Sequence, residues 1–96
     1  MDKVTEIKIK HYFDVTGRAL RKVKLVKSLK VDFEFVGKDF LDMAQRYYDD
    51  AKYYYEKDDL VTAFASLNYA HGWLDAGARL GVFDVDGDNE LFVVDK

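Results

Sequence analysis

Apolar side chains recur every three or four positions along three stretches of the chain, which is the spacing of one face of an α-helix. The stretches cover roughly residues 4–27, 33–57 and 60–80. The apolar stripe of the second is the most regular and comprises Phe33, Val36, Phe40, Met43, Ala44, Tyr47, Ala51 and Tyr54. That of the first comprises Ile9, Tyr12, Phe13, Thr16, Ala19, Leu20 and Val23. The pattern predicts three amphipathic helices.

Residues that begin and end helices stand between these stretches. Asp32 precedes the second stretch and Asp58 or Asp59 the third, where a carboxylate can accept an unpaired backbone N–H of the first turn. Gly81 follows the third stretch, and helices often end on a left-handed glycine. Because short connections between long helices favour antiparallel neighbours, we expect an all-α fold. It would be an up-and-down three-helix bundle, with residues 1–96 as a single domain.

The third predicted helix is apolar on almost every side. Its main stripe comprises Leu60, Ala63, Phe64, Leu67, Leu74 and Ala78. Tyr69, Trp73 and Leu80 project from the far side of the helix, and such a surface must be covered. We expect the C-terminal residues 82–96 to cover these three side chains, or a second subunit to do so in a homodimer.

The C-terminal segment has a different pattern, with β-prone "VFDV" and "ELFVV" on either side of "DGDN". It predicts a short extended arm or a β-hairpin. The same residues imitate a calcium loop, with Asp84, Asp86 and Asp88 at its first, third and fifth positions and Asp95 at its twelfth. Asn89 stands where that loop needs glycine, and we expect no exiting helix before the end of the chain. An acidic Asp-Gly turn explains the same residues, so we expect no calcium.

Composition narrows the chemistry further. The chain has no cysteine, which excludes disulfides, thiolate zinc sites and thiol nucleophiles. It has two histidines, too few for a multi-histidine metal site. No apolar run approaches the roughly 18 residues that span a bilayer, and the first residues do not resemble a signal peptide. We expect a cytoplasmic protein that needs no cofactor and no membrane.

Charge is distributed unevenly. Residues 1–30 contain nine Lys and Arg against three Asp and Glu, whereas residues 31–96 contain six against fifteen. The basic residues that could bind RNA on the first helix are Lys10, Arg18, Arg21 and Lys22. The favoured alternative is that the basic segment lies beside the acidic one within the bundle. The tyrosines between residues 47 and 55 have acidic neighbours that would repel phosphates, so we interpret them as packing residues.

A polar seam follows one edge of the third helix and consists of Asn68, His71, Asp75 and Arg79. Asp75 lies four residues after His71 and four before Arg79, so the three side chains can pair along the helix. The carboxylate could then fix the tautomer of the imidazole. We favour this structural interpretation. The alternative is a pocket in which the seam binds an anion or small ligand, or acts as acid and base.

Three segments carry a distinctive pattern: "HYFDVTGRALRKVK" (11–24), "DFLDMAQRYYDDA" (39–51) and "YYDDAKYYYEKDDLVTAFASLNYAHGWLDAGARLGVF" (47–83). They resemble a small archaeal family known as domain-of-unknown-function family 357. The resemblance implies an all-α three-helix bundle, an archaeal source and a cytoplasmic location, but no activity. The family's characteristic run marks Asn68, Tyr69, His71, Gly72, Asp75, Ala76 and Arg79 here, without assigning them roles.

Residues 51–76 are also loosely similar to HEPN-type bundles, some of which are ribonucleases. Those enzymes carry an arginine followed a few residues later by a histidine, and no histidine follows Arg79. We therefore expect a non-enzymatic module that interacts with a protein partner or with itself. The alternatives are an RNA-binding or HEPN-like accessory protein acting through the first helix, and a ligand binder at the polar seam.

Overall fold

A computed structural model describes residues 4–92 as an all-α protein with three helices. They are α1 (Glu6–Lys22), α2 (Phe33–Glu56) and α3 (Leu60–Leu80). Residues 4–92 contain no β-strand. The predicted fold class and the number of helices are confirmed, and the predicted bounds of α2 and α3 agree to within one residue. Within the same residues, no helix has the length and apolar character that crossing a bilayer requires.

The first helix is shorter than predicted. It begins after Thr5, whose hydroxyl accepts the backbone N–H of Lys8 at 3.1 Å, and it ends at Lys22 rather than near residue 27. Val23 is already extended, with φ −65° and ψ 135°. Val23 and Val26 follow, and β-branched residues lose side-chain freedom in a helix.

The chain divides into two compact units, one ending at Lys30 and one beginning at Val31. In the first unit, α1 has no buried residue, and the apolar side chains of Ile9, Tyr12, Phe13 and Leu20 are exposed. The second unit contains α2, α3 and the C-terminal segment. The single domain expected over residues 1–96 stays a prediction.

Aspartates and a glycine set the bounds of α2 and α3, as predicted. Asp32 accepts the backbone N–H of Phe35 at 3.2 Å, and Asp59 accepts that of Thr62 at 3.0 Å. Each carboxylate satisfies a donor that has no partner within its helix. Asp58 adopts a positive φ of 61° in the short link between the helices. Gly81 ends α3 in the left-handed conformation, with φ 90°.

Small residues form the line of contact between α2 and α3. The buried residues are Ala44 and Ala51 on α2, and Ala63, Ala70 and Gly77 on α3. They recur every seven residues on each helix, which is the spacing of a helix–helix seam. We call this line the alanine seam.

The predicted apolar stripe is right for α2 apart from Phe33, and wrong for half of its residues on α3. On α2 every stripe residue from Val36 onward is buried or half-buried. On α3, Leu60, Phe64 and Leu67 are exposed, although they were expected to face the core. The helices instead approach each other along residues without bulky side chains.

Aromatic pairs close one side of the alanine seam. The ring of Phe40 meets Trp73 edge to face with centroids 5.0 Å apart, and Tyr47 stacks on Tyr69 at 4.3 Å. Since the later α2 residue meets the earlier α3 residue, the two helices are antiparallel. Helix α2 therefore contacts both Tyr69 and Trp73, but Tyr69 stays 57% exposed, and its cover by a second subunit stays a prediction. Leu80 is exposed.

The C-terminal segment folds back on α3 through a series of turns. The ring of Phe83 occupies the space over Gly77 that a side chain there would need. Asp86 and Gly87 have φ of 55° and 69°, and the N–H of Asp88 bonds to the carbonyl of Val85 at 3.0 Å. The predicted Asp-Gly turn is confirmed. No hairpin strand forms in residues 82–92, and residues 93–96 lie outside the described part of the chain.

Candidate functional site

An open groove runs along the side of the alanine seam opposite the aromatic pairs. Its walls are Leu41, Tyr48 and Tyr55 from α2, and Leu67 and Leu74 from α3. One part has a volume of about 410 Å³ and the other about 210 Å³, and the two parts share Tyr48 and Leu67. We call this feature the apolar groove.

The groove exists because its floor is made of alanine. Ala44 and Ala70 lie beneath one part, and Ala51 and Ala63 beneath the other. The α2 walls stand seven residues apart, so they share one side of the helix. Among the wall residues the exposed fractions are Leu41 55%, Tyr48 46%, Tyr55 69% and Leu67 43%. These are large apolar side chains presented to solvent as one continuous surface.

Acidic residues follow the α2 groove walls in the sequence, but none of them lines the groove. Asp42, Asp49 and Glu56 each come one position after a wall residue, and we call them the acidic row. Asp42 forms an ion pair with Arg46 at 2.8 Å, and Asp49 accepts a hydrogen bond from Gln45 at 3.0 Å. Both interactions are exposed, so water screens them and leaves the carboxylates accessible.

Only two of the four residues of the predicted polar seam line the groove. Asn68 and His71 line its larger part, whereas Asp75 and Arg79 are not among the residues that line it. The Nε2 atom of His71 lies 3.6 Å from Oδ1 of Asp75, with the carboxylate 29% exposed. Binding or acid–base chemistry at these four residues stays a prediction.

The C-terminal segment engages His71 directly. Nε2 of His71 lies 2.7 Å from the carbonyl oxygen of Leu91, and its ring stacks near that of Phe92 with centroids 6.3 Å apart. A carbonyl oxygen only accepts, so Nε2 must carry the proton and donate. The backbone carbonyl of Leu91, at 2.7 Å, therefore fixes the tautomer of the imidazole. The carboxylate of Asp75, which was expected to do so, lies farther from the same nitrogen, at 3.6 Å. We call this contact the His71 clasp.

A family described as "Protein of unknown function (DUF357)" matches residues 11–83. The chain belongs to this family. The matched range includes the alanine seam and every wall of the apolar groove, whereas the turns from Asp84 onward lie beyond it. Comparisons with curated proteins and with solved structures give no match.

In this DUF357 member, the aspartates of the calcium-like segment that lie within the described residues accept hydrogen bonds in local turns, which agrees with the predicted Asp-Gly turn. Oδ1 of Asp84 accepts the N–H of Asp86 at 3.0 Å, and Oδ1 of Asp88 accepts those of Glu90 and Leu91 at 3.0 Å. These carboxylates hold local turns, as aspartates in loops commonly do. Residues 4–92 contain no group of three or more side chains that could hold a metal ion, and Asp95 lies outside them.

The basic residues predicted as an RNA surface lie on α1. Lys10 pairs with Glu6 at 3.5 Å and Arg18 with Asp14 at 3.0 Å, each one helical turn apart. Arg21 and Lys22 occupy the last turn, where positive charge is favourable. Binding of RNA by these four residues stays a prediction.

Sequence reasoning missed the groove walls on α2. Leu41, Tyr48 and Tyr55 repeat at seven-residue spacing, and that repeat was the available signal. The sequence also gave no sign that the indole N–H of Trp73 is buried without a hydrogen-bond partner in the described structure. An unpaired buried donor costs roughly 1–3 kcal/mol.

Proposed function

We propose that this DUF357 chain is a non-enzymatic protein-interaction module that binds a partner protein in the apolar groove. The observation that carries the proposal is the row of exposed apolar side chains above an alanine floor. Contiguous exposed apolar surface of this kind marks interaction sites in water-soluble proteins. A cytoplasmic location, expected from the sequence, belongs to the same proposal.

The shape of the groove favours a macromolecular partner over a small molecule. Pockets for small ligands enclose roughly 70–90% of the ligand's surface. The apolar groove is open along its length, since its walls remain half exposed to water. Its polar lining is sparse and includes Gln45, Asn68 and His71. Those groups suit the rim of a protein interface, which is polar around an apolar centre.

The geometry of His71 gives this residue a structural role at the edge of the groove. Nε2 of His71 is bonded to the carbonyl of Leu91 and ties the C-terminal segment to α3. RNA binding through α1 and anion binding at the polar seam remain the alternatives, and neither has a structural observation that favours it over the groove.

A neutral synthetic helix tests this function. The probe is a peptide of about 18 residues with leucines at i, i+3, i+4 and i+7 and glutamines elsewhere, the pattern that helix-binding grooves recognise. We expect the full chain to bind it, as measured by fluorescence anisotropy, and Leu67→Glu to weaken binding about tenfold or more. Tyr53→Glu is the matched control, because Tyr53 is exposed but lies outside the groove.

Two results would contradict the proposal. One is the absence of binding by the unmodified chain. The other is an equal loss of binding in Leu67→Glu and Tyr53→Glu, which would place the contact elsewhere. Circular dichroism of both variants establishes that the helices are intact.

A further inference from the structure

We infer that the larger part of the apolar groove takes up two residues of this same chain, Val93 and Val94, and that a partner must displace them. This inference rests on the proposed function and adds a built-in competitor to the site. It comes from the His71 clasp, from the direction in which the C-terminal segment runs along α3, and from the apolar residues that follow the last described turn.

The His71 clasp holds the C-terminal segment at the edge of the groove. The imidazole lines the larger part of the groove, and its Nε2 lies 2.7 Å from the carbonyl oxygen of Leu91. The ring of Phe92, the next residue, stacks near the same imidazole with centroids 6.3 Å apart. The residues that come after Phe92 therefore start beside the groove.

The C-terminal segment runs back along α3 toward the beginning of that helix. The ring of Phe83 lies over Gly77, whereas Leu91 reaches His71, six residues earlier in the helix. At a rise of 1.5 Å per residue, the segment has moved about 9 Å along α3. The next groove wall in the same direction is Leu67, about 6 Å beyond His71.

The two valines have the reach and the chemistry for this part of the groove. Two extended residues span about 7 Å, so Val93 and Val94 can arrive at Leu67. The wall there is apolar and accessible, with Leu67 43% exposed and Tyr48 46% exposed. Contact would remove apolar surface from water on both sides, which is favourable.

Helix α1 is the competing occupant within the chain, because it is amphipathic and its apolar side chains are exposed. The two valines differ from α1 in their attachment. They belong to the same compact unit as the groove and follow a contact made at its edge, whereas α1 belongs to the unit that ends at Lys30. A segment held by a short tether has an effective concentration on the order of millimolar at its site. This favours the valines over a second copy as well.

Nuclear Overhauser effects in the full chain test the contact itself. We expect them between the methyl groups of Val93 or Val94 and those of Leu67 or the ring protons of Tyr48. Their absence from both valines would overturn the inference. Effects from the methyl groups of Leu20 on α1 to Leu67 in their place would make α1 the occupant, and would overturn it too.

Binding of the neutral leucine–glutamine peptide tests the competition. The double variant Val93→Gln, Val94→Gln should bind the peptide about fivefold tighter than the unmodified chain, because the tethered competitor is weakened. The matched control is Phe13→Gln, Leu20→Gln, which replaces two exposed apolar side chains of α1 without changing the charge. We expect this control to bind the peptide as the unmodified chain does.

The outcomes separate this inference from the proposed function. If the peptide binds all three proteins equally, the valines do not compete for the groove, and the interaction module stands. If only the α1 variant binds more tightly, α1 is the competitor and the inference is wrong. If none of the three binds while the valine methyl groups contact Leu67, the valines occupy the groove and the interaction module is wrong.

Discussion

Nε2 of His71 donates a hydrogen bond of 2.7 Å to the carbonyl oxygen of Leu91, twenty residues further along the chain. The bond joins the middle of α3 to the last described turn of the C-terminal segment. It makes one side chain serve two surfaces, because the same imidazole lines the apolar groove. The His71 clasp therefore gives a structural reason for a histidine at this position that needs no catalysis.

His71→Ala should loosen the C-terminal segment more than it destabilises the helices. Loss of one partly exposed hydrogen bond lowers the free energy of unfolding by about 0.5–1.5 kcal/mol. Amide hydrogen exchange should accelerate selectively in residues 84–92, which depend on this contact. His11→Ala on α1 is the control, and unchanged exchange near Leu91 in the His71 variant would contradict the clasp.

Two glycines of α3 should respond to alanine in opposite directions. A Cβ at Gly77 overlaps the ring of Phe83, whereas one at Gly72 has nothing within 4 Å. Gly77→Ala should lower the free energy of unfolding by about 1–3 kcal/mol through overpacking. Gly72→Ala should raise it by up to about 1 kcal/mol, because alanine favours the helix. Urea denaturation measures both, and equal responses would show that Phe83 does not hold its position over α3.

The alanine seam should tolerate no large side chain. Ala70 is 6% exposed between the helices, and Ala70→Leu would push α2 and α3 apart. We expect the free energy of unfolding to fall by about 1–3 kcal/mol. Ala65→Leu, on the exposed part of the same helix, should have little effect. A thermal melt of each variant suffices, and a stable Ala70→Leu protein would rule out close approach at the seam.

The two aspartates between α2 and α3 should differ sharply. Asp59→Ala removes the acceptor for the N–H of Thr62 and should cost about 0.5–2 kcal/mol of unfolding free energy. Asp58 has φ 61°, a region that glycine occupies without strain. Asp58→Gly should therefore be neutral or stabilising by a few tenths of a kcal/mol. Chemical denaturation of the pair checks this, and the reverse order would mean that Asp58 caps α3.

Much of the helical architecture could be predicted from the sequence because local rules specify it. The bounds of α2 and α3 depend on Asp32, Asp59 and Gly81, whose roles act within a single turn. The face of α3 that packs against α2 could not be predicted in the same way. Leu60 and Phe64 are more hydrophobic than Ala63 and Ala70, yet close approach of two backbones selects the smaller side chains.

The candidate site shows the same limit. Asn68 and His71 were predicted to lie on a polar edge, and both line the groove. The groove itself is the space above the small side chains of the alanine seam. It can be recognised only once the residues that face each other across α2 and α3 are known. The contact between His71 and Leu91 joins residues far apart in sequence, and no local pattern indicates it.

The edge-to-face pair of Phe40 and Trp73 has a practical consequence. Trp73 is the only tryptophan of the chain. It lies on α3, and its half-buried indole contacts Phe40 of α2. Its fluorescence emission is therefore a native optical reporter for separation of α2 from α3. Circular dichroism, which measures helix content, would also report on α1. If the fluorescence and circular dichroism transitions occur at different temperatures, the unit that ends at Lys30 and the unit that begins at Val31 unfold independently.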